Sequence, residues 1–499
     1  MKKWMIFSFM LFGLSGFGQF GFVKGFSSLE EDGIAWYRDV LIDNDTIVLY
    51  ASARDSVSNQ WGIKFIQLDS FGNVLSEVLH VDTVNALVSQ EFRKKIITTD
   101  DGGYAIIGSA GLPTLYLLKV NHDLSLDFLQ KYVAEDSATL LNASLIEVND
   151  GFLLLGDQRI DSMNHEIFVM KTDAQGNDVW RKIYDAGPNM QSNPFEIHAL
   201  DENTFVIGAI HTKSKNPGSG VIGTWNRSYM LCIDSLGNVK WDWESDDAPE
   251  HSWILDFELL ADSSWICMSG TWEQDPADGA YETRPMILRM DKNFNVMWQK
   301  IFDVPWGGIQ LLSDLERLPD SNYLVSGYFY DWDAQKYKGV HYKFAANGDS
   351  LWMRLDTVFS GDSDTHIKGT DILSSGSIIS VGYADKTDGT YGFVMKLSPD
   401  GCIDTVNCWP VADSEPFAQA EEVSVYPNPF SDYLTVNIPD YPQNAYIYFY
   451  DVMGRFLRKQ RVWHGVNELD VGAFPEGMIF YEVRDDGVLM GRGKLVGGS

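Results

Sequence analysis

The side chains able to carry chemistry are scattered along this chain rather than gathered. Its 499 residues hold nine His, at 80, 122, 165, 198, 211, 251, 341, 366 and 464, with no His-Glu-x-x-His and no His pair at helical metal-ligand spacing. Neither a Gly-x-Ser-x-Gly elbow nor a phosphate-binding loop occurs, so the local signatures of acyl and phosphoryl transfer are both missing. Asp43-Asn44-Asp45 and Asp362-Ser363-Asp364 each place two carboxylates two positions apart, but neither continues into a calcium loop. No metal site and no cofactor is expected, calcium being the one candidate left open. Cys402 and Cys408 close a short loop and suit a disulfide in an oxidising compartment. Cys232 and Cys267 sit in apolar strand patterns and read as buried thiols.

One asymmetry stands out among the aromatic and acidic residues. Three long segments, 211–228, 271–285 and 328–339, read as loops and carry Trp225, Trp272, Tyr281, Tyr328, Tyr330, Trp332 and Tyr337. Neighbouring connections add Asp246, Asp247, Glu250, His251 and Trp306. Flat apolar rings flanked by carboxylate acceptors suit a sugar ring or a protein anchor. The same rings would equally serve to pin their own loops to the fold.

The elements that would position these residues repeat. The unit is an apolar strand, an acidic turn, an aromatic strand ending in Gly, a variable loop, a strand ending in Asp, a Gly-Asn turn and a strand with Trp. The Gly member recurs at 108, 156, 208, 270, 327 and 382, and the turn at 69–73, 173–177, 234–238, 291–295 and 345–349. Degenerate turns lie at Asn121 and 398–401, and Trp180, Trp241, Trp298 and Trp352 each follow a turn's first residue by seven positions. Four strands per 50 to 60 residues, repeated, is the pattern of a β-propeller blade. Seven units fit between residues 19 and 408. Residues 19–26 lie where an outer strand belongs, and are expected to close the last blade so that no free edge is left.

The repeat resembles the propeller-type repeats common in large secreted proteins of Bacteroidota, on Asp101-Gly102-Gly103-Tyr104 and on Met170-Lys171-Thr172-Asp173 with Gly176-Asn177 and Trp180. That resemblance implies a scaffold, since propellers host binding and catalysis alike.

Charge and the chain ends give an address. Asp and Glu number 70 against 38 Lys and Arg, a net charge of −32, which repels phosphate backbones and makes a nucleic-acid partner a poor hypothesis. Residues 1–18 combine Lys2 and Lys3, an apolar run and small residues before Gln19, the pattern of a cleaved signal peptide. No later segment is long and apolar enough for a transmembrane helix. Residues 409–424 hold four acids, two Pro and no Lys or Arg, and read as a linker. The tail, 425–499, has seven basic and nine acidic residues, so the acidity belongs mainly to the repeats.

Short alternating strands in the tail predict a small β-sandwich of immunoglobulin-like kind. Tyr426-Pro427-Asn428-Pro429, Asp451, Gly454-Arg455, Gly465, Asn467, Gly477 and Lys494-Leu495-Val496 occur in the order found in the type A C-terminal sorting domain of the type IX secretion system, which this tail closely resembles. The resemblance implies passage through the type IX machinery and handling by its sorting peptidase, with release or attachment at the cell surface. The chain departs from that family in ending Gly497-Gly498-Ser499 where a basic residue is usual.

The fold class expected is therefore all-β: a seven-bladed β-propeller over 19–408, a linker, and a sorting domain over 425–499. The function expected is a secreted or cell-surface binding protein for an extracellular glycan or protein ligand, and not an enzyme. The alternatives are a propeller glycan hydrolase or lyase, and a structural adhesion component.

Overall fold

A computed structural model describes residues 21–26, 36–403 and 423–497, except for 56, 83, 89–95, 111–113, 135–137, 161–164, 186, 188–189, 215–223, 246–251, 275–280, 303–309, 332–333, 360–362, 388, 439–444, 452–455, 473, 475–476 and 486–487. Among the described residues the regular structure is all strand, with no helix. The chain divides into two compact units, 1–413 and 414–499.

In the first unit the strands form four-stranded antiparallel meanders over 36–81, 96–133, 139–184, 190–244, 253–301, 310–356 and 364–397. The last has only three strands of its own, and Phe22–Phe26 supplies the fourth by pairing with Gly389–Leu397, from Phe22 opposite Lys396 to Phe26 opposite Gly392. A single parallel bridge, His165 to Gln191, links the third meander to the fourth. Each meander's first strand packs on the first strand of the next, and Asp364–Ile372 packs on Trp36–Asp43. The series is thus a closed ring, a β-propeller, with Phe22–Phe26 completing the last meander as its outer strand.

Burial explains the strand patterns. Second and third strands, such as Tyr104–Ser109 and Thr114–Val120, are buried on nearly every residue because neighbouring meanders cover both faces. Fourth strands such as Val74–Val81 lie at the outside and are mostly exposed or half-buried. The cores lie between meanders: Val48, Tyr50 and Phe65 of the first pack with Tyr104, Ile106 and Leu118 of the second.

Two local devices recur. The first is the acidic hairpin. Asp173 Oδ1 accepts the amides of Gln175 and Asn177 at 2.9 and 2.8 Å, and Asn177 Nδ2 donates to Oδ2 at 2.9 Å. The same bonds recur at Asp69, Asp234 and Asp291, and they hold these carboxyls below the usual range. The carboxylates of Asp69, Asp173, Asp234 and Asp291 are therefore committed to making turns. The second device is an ion pair inside one meander between the first turn and the third strand: Lys119 to Asp101 at 2.6 Å, Lys171 to Asp150 at 2.7 Å, Arg289 to Asp262 at 2.6 Å and Lys343 to Asp320 at 2.7 Å. The Lys119 bond holds the Asp101 carboxyl down at about 2.

Among its described residues the second unit has seven strands in two sheets. One orders Ser424–Tyr426, Tyr433–Ile438 and Gly465–Asp470; the other orders Phe456–Arg461, Ala445–Asp451, Gly477–Asp485 and Val488–Gly497. Leu434, Val436, Ile447, Phe449, Ile479 and Val483 fill the space between them.

Candidate functional site

In their described residues the three segments that read as loops extend their hairpins, a correction to the sequence expectation. Thr204–Ser214 pairs with Thr224–Asp234, Trp265–Gln274 with Tyr281–Met290, and Tyr323–Asp331 with Lys336–Phe344. Their Thr, Tyr and Trp residues are strong strand formers, and the described pairing runs out to Ser214 with Thr224, Gln274 with Tyr281 and Asp331 with Lys336. Trp225 stands opposite Lys213, Trp272 opposite Thr283 and Tyr281 opposite Gln274; these three are placed by backbone only. Trp306, Trp332, Asp246, Asp247, Glu250 and His251 lie outside the described residues.

Tyr330 and Tyr337 face each other in register near the tip of the sixth meander's hairpin, half-buried, with rings 5.0 Å apart edge to face. Tyr337 leads inward to a packed cluster. His366 lies 4.7 Å from the Tyr337 ring, 4.6 Å from Tyr328 and 4.7 Å from Tyr383, on which it stacks. Lys368 sits 4.3 Å over the Tyr328 ring and donates to its hydroxyl at 3.0 Å. Burial, reinforced by the Lys368 charge, pushes His366 down to about 3. It is therefore neutral at ordinary pH and cannot act as a proton donor there. Carboxylates border the cluster: Asp364 Oδ1 accepts the Tyr337 amide at 2.8 Å, and Asp331 pairs with Lys338 at 2.6 Å.

Sequence reasoning missed a second array. Asp356 Oδ2 lies 3.3 Å from His341 Nδ1, and His341 Nε2 lies 2.8 Å from the Ser380 hydroxyl. This is the order of an Asp-His-Ser triad, but His341 and Ser380 are both 0% exposed, so no substrate can reach the serine. The Ser380 hydroxyl continues to Thr370 at 2.9 Å and Thr370 to Ser326 at 2.8 Å. The chain of bonds joins the sixth meander to the seventh and is structural.

A third array, also missed, lines the inner strands. Asp39 accepts the Ile96 amide at 3.2 Å, Asp256 the Leu315 amide at 3.2 Å, Asp314 the Thr370 amide at 2.6 Å and Asp371 the Ile42 amide at 2.7 Å. Each acceptor belongs to one meander and each donor to the next around the ring. The available signal was an acid interrupting an apolar first strand, as in Leu312-Ser313-Asp314-Leu315.

Of the two carboxylate pairs weighed for calcium, Asp43 and Asp45 are engaged in other bonds, and Asp362 lies outside the described residues. Asp43 Oδ2 accepts the Tyr104 hydroxyl at 2.9 Å, and Asp45 accepts the Ser374 amide at 2.8 Å. Among the described residues no group of three or more potential metal ligands is gathered. Cys232 and Cys267 are buried free thiols, and burial pushes Cys232 up to about 11. Cys402 is buried, while Cys408 lies outside the described residues.

In the sandwich, elements far apart in sequence meet. Asn428 Oδ1 accepts the Val496 amide at 2.8 Å, its Nδ2 donates to the Lys494 carbonyl at 3.1 Å, and the Phe430 amide donates to the Val496 carbonyl at 2.9 Å. Tyr426-Pro427 and Asn428-Pro429 are both cis, and Tyr426, Pro427 and Pro429 are exposed. Leu495 points into the core at 1% exposure. Asn467 ties a turn together: its Nδ2 donates to the Trp463 carbonyl at 2.7 Å and its Oδ1 accepts the Trp463 amide at 2.9 Å. Gly465 and Gly477 have φ of +83° and +105°, which other residues adopt only with strain. Asp451 pairs with Ile479 through its backbone, and Gly454 and Arg455 lie outside the described residues.

The protein is thus of the class that joins a β-propeller to a small two-sheet sandwich. Residues 424–495 match the family described as the secretion system C-terminal sorting domain, and this tail is a type IX sorting domain. The tail indicates handling by the type IX machinery and export to the cell surface or beyond. No curated protein matches the chain. Among solved structures it is similar to polysaccharide lyase Uly1 (9% identity, covering 73% of this chain and 90% of that one, TM-score 0.45). It is also similar to the α-L-arabinofuranosidase arb93a of Fusarium graminearum (12%, 63% and 93%, 0.43). A third is the β-propeller domain of the Trilobed protease from Pyrococcus furiosus (9%, 78% and 99%, 0.40). Among the described residues no helix is long and apolar enough to cross a membrane.

Proposed function

We propose that the mature protein is an exported seven-bladed propeller that binds an extracellular glycan or protein ligand on the rim carrying Tyr330 and Tyr337. On this reading the signal peptide is removed near Gly18, a Cys402 to Cys408 disulfide seals the end of the propeller, and residues 409–424 link it to the tail. The observation that supports the rim is the half-buried Tyr330 and Tyr337 pair beside Asp331 and Asp364. Rings held by packing lose little freedom on binding, and the carboxylates accept hydrogen bonds from hydroxyls.

A Tyr330→Ala, Tyr337→Ala double variant is expected to weaken binding on a glycan array or to a captured surface ligand by about tenfold or more, measured well below its own thermal midpoint, which the lost Tyr337 packing lowers. Equal binding by variant and parent would sink the rim. For export, a reporter carrying residues 409–499 is expected at the surface or in the medium of a type IX-competent host. A reporter retained in the periplasm would refute the sorting role of this tail.

A further inference from the structure

Around the ring, a polar side chain two residues before the acidic hairpin repeatedly reaches the next meander. Gln67 Nε2 donates to the His122 carbonyl at 2.8 Å, Arg289 Nη1 to Ala346 at 3.0 Å, Lys343 Nζ to Pro399 at 3.2 Å and Lys396 Nζ to Ser70 at 2.8 Å. In each case the acceptor is the second residue of the next hairpin. Between the third and fourth meanders the equivalent pair is Lys171 and Ser235, and this bond is not made. Lys171 Nζ turns home, donating to the Thr172 carbonyl at 2.9 Å and pairing with Asp150 at 2.7 Å. Lys119 also stays in its own meander, but two carboxylates hold it there, Asp101 at 2.6 Å and Asp127 at 2.8 Å.

Where the Lys171 bridge is missing, the structure holds a cleft of about 290 Å³. Leu153 and Phe205 line it with Leu236, and Glu202, Asn203 and Ser235 stand around them. It opens among first turns and acidic hairpins, at the opposite ends of the strands from Tyr330 and Tyr337.

We propose that this cleft binds one neutral sugar ring. Its volume lies at the small end of ligand sites, which suits a single ring rather than a chain of them. Its polar lining mixes an ammonium, carboxylates, a side-chain amide and a hydroxyl, so it both donates and accepts. A ligand rich in hydroxyls satisfies such a lining, whereas an ion of either sign would meet a like charge. Leu236 offers an apolar contact to the C–H face of a pyranose, above the buried Leu153 and Phe205. Leu236 is 66% exposed and stands at the open side of the cleft. This site is independent of the rim proposed above.

The test is saturation-transfer NMR on the purified full chain with glucose, galactose, mannose and N-acetylglucosamine at millimolar concentration, and inorganic phosphate and glucuronate as charged comparators. At least one neutral sugar is expected to receive saturation and to compete with the others. Leu236→Trp, a change at an exposed position that fills the cleft, is expected to weaken that sugar about tenfold or more with the thermal midpoint unchanged. Tyr330→Ala is expected to leave it unaffected. The proposal is overturned if no neutral sugar binds, if the charged comparators bind instead, or if Leu236→Trp has no effect. Loss of binding in Tyr330→Ala alone would assign the sugar to the rim and overturn it equally.

Discussion

Gly382→Ala is expected to destabilise the propeller by about 3 kcal/mol or more, read as a fall in the urea midpoint followed by tryptophan fluorescence. A Cβ on Gly382 would lie 1.9 Å from the carbonyl oxygen of His366 and 2.9 Å from its carbonyl carbon, and both are main-chain atoms. The contact cannot be relieved by turning a side chain, so one strand must move. Gly382 pairs with Ile367 immediately before a bulge at Lys368, where the inner strand bends. Moving that strand also disturbs Thr370 and Asp371, through which the seventh meander is tied to the sixth and the first. Gly102→Ala provides the comparison. Gly102 has φ of +83° but no atom within 4 Å of a built Cβ, so only the backbone cost of about 1–2 kcal/mol is expected. A Gly382→Ala protein no less stable than Gly102→Ala would show that the close approach is not real.

Asp314→Ala should rank second, at about 2–3 kcal/mol by the same measurement. Asp314 is 1% exposed, and its Oδ2 accepts the Thr370 amide of the next meander at 2.6 Å. Truncation leaves that buried N–H without its acceptor, which costs more than the net worth of the bond. Asp314→Asn keeps an oxygen at the same place and is expected to lose only about 1 kcal/mol. Asp349→Ala, on an exposed turn, should stay within about 0.5 kcal/mol of the parent. If the Ala and Asn variants at 314 prove equally unstable, or if Asp314→Ala behaves like Asp349→Ala, the carboxylate is not the tie between meanders that the geometry describes.

Periodic elements were legible because their causes are local. The run of an acidic hairpin, Asp173 to Asn177, contains every group that its bonds require. The sorting motif was legible for a different reason, as an ordered set of residues. What that set does was not: Asn428 holds Lys494 and Val496 across 66 and 68 positions, and Asn467 ties its own turn while also donating to the Val436 carbonyl 31 positions away. The rim was legible in part. Tyr330 and Tyr337 do meet, yet the segments carrying them and their counterparts read as loops because strand propensity was discounted beyond the repeat's Gly.

The recurring Trp shows where sequence stops. Its spacing from the turn is visible, but its partner belongs to the next meander. Trp180 packs on Gly237, Trp298 on Gly348 and Trp352 on Gly401, each close enough that a Cβ on the glycine would meet the ring at about 3.0 Å. Where that glycine is replaced by Phe294, Trp241 lies against the phenyl ring at 5.0 Å instead. The closing strand follows the same logic, since Phe22 packs on Gly72 and Lys24 donates to the Gly72 carbonyl at 2.9 Å.

By itself, then, the sequence determined the strands, the turns, the acidity that builds those turns, and the tail that directs export. Only the tertiary structure decided which aromatic covers which glycine, which carboxylate ties which meander, and where a bridging lysine turns away to leave a cleft. The physical reason is reach. A strand or an Asp-Asn turn is satisfied within five to ten residues, whereas a bulged amide or an outer-strand ring is satisfied by a neighbour some 50 residues away, whose position is set when the ring closes.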